Sequence, residues 1–153
     1  LIEQKGIECL FVTLHISLDT FLPVRESDPT AHRIHREYGL VDGRVASQLS
    51  RARNEGKRIV CVGTTTVRLL ENMSQKYGGD SLKAFQDWVD LFILPGYDFQ
   101  LVDGMVTNFH LPCSTLLMMV AAFAGKENIF SAYRKAVDEG YRFYSFGDAM
   151  LIL

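Results

Sequence analysis

The sequence has few cysteines and no pattern among them. Cys9, Cys61 and Cys113 lie far apart in apolar or turn contexts, and no C-x-x-C pair is present. An odd number of isolated cysteines argues against both a disulfide framework and a cysteine metal site. We therefore expect reduced thiols in or near the core.

The sequence also lacks a membrane-length hydrophobic run and a strong net charge. Its longest apolar run has nine residues, 116–124, against the roughly 20 that span a bilayer. No signal peptide or low-complexity tract is recognisable, so we expect a cytoplasmic protein with no membrane contact. Because the net charge is only −2, any nucleic-acid contact must come from a local basic patch.

The apolar run itself predicts a helix that is covered on all sides and anchors the core, because it has no polar face at helical spacing. Ser114 is a suitable N-cap, and Gly125 suits the end of the helix. Just before it, Thr107, Asn108 and His110 need polar partners, and the helix N-terminus favours an anionic ligand. The structural alternative is that these side chains only tie a turn to the backbone.

A second candidate site follows the short apolar run at residues 59–62. Gly63, Thr64 and Thr65 then lead into a predicted helix that begins near Val67 and carries Arg68. This order places backbone N–H groups and hydroxyls at the carboxyl end of a strand, where α/β proteins bind ligands. The glycine pattern is neither a dinucleotide fingerprint nor a P-loop.

The clearest basic segment is a predicted helix over residues 44–55 and the turn after it. Between residues 44 and 58 there are five basic side chains and one acid. Phosphate contact is one interpretation and a solvated helix face is the other. The candidate phosphate-contacting residues are Arg44, Arg51, Arg53 and Arg58.

Alternating strands and helices predict one α/β to α+β domain over residues 1–153, with a mixed sheet and flanking helices. We predict strands at 7–14, 38–41, 59–62 and 91–94, one or two helical turns at 82–88, and a hairpin at the Asp103-Gly104 turn. His15, at the end of the first strand, and Asp148, before the last, are titratable site candidates. His32 and His35 are three residues apart, but no third metal ligand stands at diagnostic spacing.

Four segments together resemble the S-adenosylmethionine:tRNA ribosyltransferase-isomerases of queuosine biosynthesis. They are Phe21-Leu22-Pro23-Val24 after His15; Val62-Gly63-Thr64-Thr65-Thr66-Val67-Arg68 with Leu70-Glu71; Pro95-Gly96-Tyr97 through Asp103-Gly104 to Thr107-Asn108-Phe109-His110-Leu111-Pro112 with Ser114-Thr115-Leu116; and Tyr141-Arg142-Phe143 through Gly147-Asp148-Ala149-Met150. The segments stand in the same order as in the family, and the resemblance covers nearly the whole chain. The family chain is longer, so we expect this one to be the C-terminal portion of the main catalytic domain, without the N-terminal half and the inserted β-barrel domain.

The resemblance implies a transferase that moves and isomerises the ribosyl group of S-adenosylmethionine onto 7-aminomethyl-7-deazaguanine in tRNA, leaving epoxyqueuosine and releasing adenine and methionine. No metal or other cofactor is implied. A base must remove a proton beside the sulfonium, and an acid assists adenine departure. His110, His15 and Asp148 are the candidates for these roles, with acid and base unassigned. The expected substrate-binding residues are Thr64, Thr65, Arg68, Thr107, Asn108 and Ser114. The expected tRNA-binding residues are the basic side chains Arg44, Arg51, Arg53 and Arg58.

One departure from the family pattern concerns the loop after His15, where Ser17 and Asp19 stand in place of glycines. Neither residue has the conformational freedom of glycine. One alternative is therefore a catalytically silent fragment that binds RNA through residues 44–58. Another is a generic α/β nucleotide-binding module.

Overall fold

The computed structural model describes residues 1–16 and 23–153 and has an α/β architecture with two three-stranded sheets. Four helices accompany six strands in the described part of the chain, besides short 3₁₀ turns at Glu3–Lys5 and Pro29–Ala31. In chain order these elements are β1 (Thr13–His15), β2 (Glu37–Val41), α1 (Gly43–Asn54), β3 (Val60–Val62), α2 (Thr64–Tyr77), β4 (Phe85–Val89), β5 (Gly104–Asn108), α3 (Thr115–Ala124), α4 (Lys126–Asp138) and β6 (Ala149–Ile152).

The first sheet, sheet A, is antiparallel and has the order β1-β2-β4. On β2 the residues alternate strictly between buried and half-buried positions, as a sheet with one face on the core requires. Gly39 belongs to the buried set, and a Cβ there would lie 2.6 Å from Leu69 Cδ1. The inner face of sheet A therefore packs closely on α2.

The second sheet, sheet B, has the order β3-β5-β6, with β3 parallel and β6 antiparallel to the central strand β5. The predicted mixed sheet is thus found here, and the α/β class is confirmed. Helix α2 contacts strands of both sheets, and its apolar residues Val67, Leu69, Leu70 and Met73 are at most 3% exposed. The core is therefore organised around α2.

The prediction that residues 116–124 form a helix covered on all sides is wrong for this chain. Helix α3 has the expected cap, since the hydroxyl of Ser114 accepts from the Leu117 N–H, and it ends before Gly125. However, Leu117, Met118 and Phe123 are only partly buried. The uniformly apolar sequence indicated that every side of the helix could be buried. It could not show how many sides other elements of this chain contact.

The predicted hairpin at Asp103-Gly104 is also wrong, because residues 99–102 form no strand. Their backbone N–H groups pair with a side chain instead: those of residues 100, 101 and 102 donate to the carboxylate of Glu71. The Asp103 carboxylate accepts from the Ile59 N–H, which aligns β5 with β3 in parallel. Two carboxylates thus replace the hairpin ladder.

Three further local predictions differ from the structure. Residues 7–12 are not a strand, and only Thr13–His15 pairs with β2. Residues 91–94 are irregular, although Ile93 is buried. The segment predicted to be helical at 82–88 contributes strand β4. Short apolar runs do not distinguish strand, helix and buried loop without their partners. Of the cysteines, Cys61 is buried, which raises the pKa of its thiol to about 12, whereas Cys113 is exposed.

None of the described helices combines the length and apolar character that crossing a bilayer requires.

Candidate active site

Two parallel strands of sheet B end at the same edge, and this places the two predicted site segments side by side. Val62 of β3 aligns with Val106 of β5, and the Gly63 N–H donates to the Val106 carbonyl at 2.9 Å. Thr64, the first residue of α2, and Asn108, the last residue of β5, therefore lie at the same edge of sheet B. The convergence predicted for these segments is therefore present.

The antiparallel strand β6 brings a third segment to this edge. Asn108 aligns with Ala149, so Asp148 immediately precedes the residue opposite Asn108. Asn108 is exposed, whereas Thr107 beside it is buried. We call the meeting point of these three strand ends the sheet B junction; it comprises residues 63–65, 107–110 and 148–149.

His110 is buried within the sheet B junction and held from two directions. Its Nε2 lies 2.7 Å from Thr107 Oγ1, and its backbone N–H donates to the hydroxyl of Tyr133 at 2.7 Å. Burial disfavours the charged imidazolium and lowers the pKa of His110 to about 4. His110 is therefore neutral at physiological pH, so it can accept a proton but has none to give as an imidazolium.

Asp148 is held by a single arginine. Its Oδ2 accepts from the backbone N–H and Nε of Arg142, and its Oδ1 accepts from Nη2 of the same side chain at 3.1 Å. These bonds hold the pKa of Asp148 below its usual range. Asp148 is consequently an anion at neutral pH and is unsuited to the role of general acid.

The segment between Arg142 and Asp148 also packs on the strand end next to His110. Tyr144 has a positive φ of 68°, and its N–H donates to the Phe109 carbonyl at 2.7 Å. The ring of Phe109 contacts those of Tyr133 and Phe143. An aromatic cluster therefore supports the backbone on which Asn108 and His110 stand.

The N-terminus of α2 faces the same edge without a side-chain cap. Gly63 occupies the N-cap position with φ of 90°, which glycine adopts freely, and Thr66 Oγ1 donates back to the Val62 carbonyl. The first-turn amides of Thr64 and Thr65 have no partner within the helix and carry partial positive charge. They can receive a carboxylate or ribose hydroxyl.

Ser114, an expected substrate-binding residue, is occupied by helix capping. Its hydroxyl donates to the Leu111 carbonyl and accepts from the Leu117 N–H. The turn before it contains Cys113 at φ of 57°, whose carbonyl accepts from the Val24 N–H at 2.7 Å. The turn is thus pinned to the segment that follows residues 17–22.

Arg68 does not lie at the sheet B junction, contrary to expectation. It projects from α2 toward sheet A, is 2% exposed, and donates to the Glu37 carboxylate and to the carbonyls of His35, Val89 and Leu91. All of its guanidinium nitrogens are engaged in the core. Its substrate-binding role is corrected to a structural one, since a buried arginine must satisfy its charge internally.

His15 lies on β1 of sheet A, where its ring is 6.1 Å from that of Tyr38. The structure therefore does not bring it to the sheet B junction with His110 and Asp148. The departures at Ser17 and Asp19, and Phe21 and Leu22 of the resemblance, lie outside the described residues. His32, a weak metal candidate, lies 2.9 Å from the Glu26 carboxylate.

The basic segment is partly neutralised by its own neighbours. Arg51 pairs with Glu8 at 3.3 Å, Arg53 with Asp103 at 3.7 Å, and Lys57 with Glu55. Of the four expected tRNA-binding arginines, Arg44 and Arg58 form no ion pair with described residues. The local positive excess available to a phosphate is therefore smaller than the sequence count indicates.

Sequence reasoning missed two residues that hold the sheet B junction. Tyr133 lies on α4, and the bond between its hydroxyl and the His110 N–H spans 23 positions of the chain. Arg142 belongs to a segment of the family resemblance, but nothing in its local context indicated a pairing with Asp148. Both contacts depend on where separate segments meet, which no local pattern records.

Comparison with known proteins covers almost the entire chain. The sequence profile of the queuosine biosynthesis protein family matches residues 1–152. A protein of Dehalococcoides mccartyi named S-adenosylmethionine:tRNA ribosyltransferase-isomerase is 53% identical over 152 residues, 99% of this chain and 44% of the relative. A Thermoanaerobacter relative of the same name is 51% identical over the same share.

A solved structure agrees with the sequence matches. The crystal structure of the S-adenosylmethionine tRNA ribosyltransferase of Thermotoga maritima matches with a TM-score of 0.71 and 53% identity, over 76% of this chain and 40% of that one. The chain thus spans less than half the length of the relatives it matches.

Proposed function

The chain belongs to the queuosine biosynthesis protein family, and from this premise we propose that it contributes part of the catalytic site of an S-adenosylmethionine:tRNA ribosyltransferase-isomerase. The complete enzyme transfers and isomerises the ribosyl group of S-adenosylmethionine onto 7-aminomethyl-7-deazaguanine in tRNA. The products are epoxyqueuosine in tRNA, adenine and methionine. S-adenosylmethionine enters as a substrate, and the proposal includes no metal or other cofactor.

The observation that carries the proposal is the meeting of three strand ends at the sheet B junction. It combines the first-turn amides of Thr64 and Thr65, which have no partner within α2, the exposed amide side chain of Asn108, and the buried neutral imidazole of His110. Substrates of this reaction carry a carboxylate, ribose hydroxyls and an acidified carbon beside a sulfonium. The sheet B junction offers hydrogen-bond donors for the carboxylate and the ribose hydroxyls, and a proton acceptor for the acidified carbon.

In this proposal His110 is the base. The sulfonium acidifies the adjacent ribose 5′ C–H, and an uncharged imidazole is the form that can take the proton. Thr107 fixes the ring orientation through Nε2. Asp148 acts as a fixed anion near the cationic substrate, since its pairing with Arg142 keeps it ionised.

The complete protein should be tested with tRNA that carries the aminomethyl base and with S-adenosylmethionine labelled in the ribose. We expect adenine release together with label in the tRNA. Asn108→Ala should lower kcat/KM for S-adenosylmethionine at least tenfold, whereas Asn54→Ala, at an exposed asparagine on α1, should leave it unchanged. Absence of both adenine and labelled tRNA would reject the proposal, and tRNA binding without turnover would favour the silent RNA-binding alternative.

A further inference from the structure

The outward face of sheet A carries a row of three aromatic rings that the proposed reaction does not use. His15 on β1 aligns with Tyr38 on β2, and Tyr38 aligns with Trp88 on β4. Their side chains point away from α2, because the alternate residues Glu37 and Gly39 face the core. We call these three residues the aromatic row.

The rings of the aromatic row contact each other yet remain accessible. The ring centroids of His15 and Tyr38 are 6.1 Å apart, and those of Tyr38 and Trp88 are 5.4 Å apart at 71°. Trp88 is 49% exposed, which is unusual for the largest apolar side chain. A planar ligand can therefore reach at least part of the row.

Positive charge lies at the end of the aromatic row. The Arg36 guanidinium carbon is 5.6 Å from the Trp88 ring centroid, and its only described ion pair, with Asp90, has the long separation of 4.0 Å. Arg33, a few residues before it, is also exposed.

The one acidic residue within β4, Asp87, lies on the inner side of sheet A. Asp87 on β4 aligns with the inward-facing Gly39, and its carboxylate is 2.9 Å from Lys76 of α2. The next outward row consists of Thr13, Leu40 and Gln86, which are uncharged. The outward face thus joins aromatic rings to the Arg36 cation, and its paired positions carry no carboxylate, although Asp90 lies beside Arg36 just past the end of β4.

This combination is the one that proteins use for unpaired nucleic-acid bases: ring faces for stacking, and arginines for the phosphates beside them. We propose that the aromatic row binds an unpaired base of the substrate tRNA, with Arg36 contacting the adjacent phosphate. The inference rests on the proposed function, which supplies tRNA as the substrate. It assigns RNA contact to sheet A, whereas the arginines at 51 and 53 are already paired.

The outer face of sheet B differs in composition from the outward face of sheet A. The outer face of sheet B is aliphatic, with the exposed residues Val60, Val62, Leu151 and Leu153, and its described strands carry no cation beside them. Covering the aromatic row with an apolar protein surface would instead bury Arg36 beside Trp88. The observations therefore favour RNA over protein as the occupant of the sheet A face.

The test measures binding of the substrate tRNA to the complete protein by filter retention, with Trp88→Ala, Trp88→Phe and Arg36→Ala. Loss of one stacked base should raise Kd about 5- to 150-fold for Trp88→Ala. Trp88→Phe should retain most of the affinity. Arg36→Ala should reduce the slope of log K against log salt by about 0.7, and Trp88→Ala should leave that slope unchanged.

The matched control is Phe130→Ala on α4. Phe130 is 43% exposed and lies 5.8 Å from the Lys126 ammonium, so it reproduces the exposed ring and cation without the sheet. We expect its tRNA affinity to stay within twofold of the wild type. The tryptophan emission lost in Trp88→Phe should be quenched by tRNA in the wild type.

Adenine release from the same preparations separates the two proposals. Turnover with an unchanged Kd in the variants, and no quenching of Trp88 emission in the wild type, would overturn the aromatic-row inference and leave the proposed function standing. Quenching and weakened binding without turnover by the wild type would do the reverse. If Trp88→Ala lowers the melting temperature of the complete protein but not its tRNA affinity, the face is packed by protein and the inference is wrong.

Discussion

The guanidinium Nη1 of Arg68 lies 3.0 Å from the Glu37 carboxylate Oε2, and the two side chains are 2% and 0% exposed. This ion pair joins α2 to the inner face of sheet A. A buried charge needs a partner because water cannot solvate it, and here the partner stands on another element. The pair explains why Arg68 does not lie at the sheet B junction, although it follows the glycine-threonine loop closely in the sequence.

Replacing Arg68 by Met should destabilise the protein by about 3–5 kcal/mol, since it leaves the Glu37 carboxylate buried without its cation. Urea denaturation measures this. As a control, Lys76→Met breaks the exposed Lys76–Asp87 pair and should cost less than about 1 kcal/mol. A stable Arg68→Met protein with a raised KM for S-adenosylmethionine would instead make Arg68 a substrate-binding residue.

Glu71→Gln should destabilise the protein by roughly 2–4 kcal/mol, because the buried carboxylate accepts from three backbone N–H groups and the Tyr97 hydroxyl. The NH₂ group of a glutamine would face these N–H and O–H donors and could not accept hydrogen bonds from them. Equilibrium urea unfolding gives the change. Tyr97→Phe removes one of the four bonds and should cost about 1 kcal/mol; equal losses in both variants would contradict the assigned role of Glu71.

Gly39→Ala should destabilise the protein by about 1–3 kcal/mol, because its Cβ would lie 2.6 Å from Leu69 Cδ1 in a packed core. Thermal denaturation at fixed pH measures the effect. Gly43→Ala is the matched substitution, since a Cβ at this first residue of α1 meets nothing within 4 Å and alanine favours helix. Similar melting temperatures for both variants would show that sheet A and α2 are less closely packed than described.

The depressed pKa of His110 predicts a pH dependence of stability. Its pKa falls from 6.5 to about 4 on folding, so the unfolded chain binds more protons between these values and stability falls as pH drops through that window. The contribution is about 3 kcal/mol between pH 7 and pH 4. Urea midpoints at several pH values should show a steeper loss in the wild type than in His110→Gln; parallel curves would mean that the imidazole titrates normally.

Local signals in the sequence were sufficient where the determining contacts are local. Ser114 caps α3 as predicted, by accepting from the Leu117 N–H. The prediction of a helix over residues 44–55 agrees with α1, Gly43–Asn54, to within one residue at each end. Such predictions succeed because caps and periodicity act within one or two helical turns.

Predictions failed where long-range partners decide the outcome. Residues 99–102 have the apolar character of a strand, yet the Glu71 carboxylate takes their N–H groups from about 30 positions away. The polar groups of the candidate site met as expected at Thr64, Asn108 and Asp148, whereas Arg68 did not. Arg68 pairs with Glu37 and not with a ligand because it lies on the face of α2 that packs against sheet A.

By itself the sequence determined the α/β class, the capped helices, the family and the segments that carry the site. Only the tertiary structure decided which of those polar residues meet at one sheet edge, that α2 rather than α3 is enclosed, and that Tyr133 and Arg142 hold the site. The physical reason is range: propensity and capping are satisfied between neighbours in the chain. A buried charge or N–H group, in contrast, takes whichever partner the packing of separate elements brings within about 3 Å.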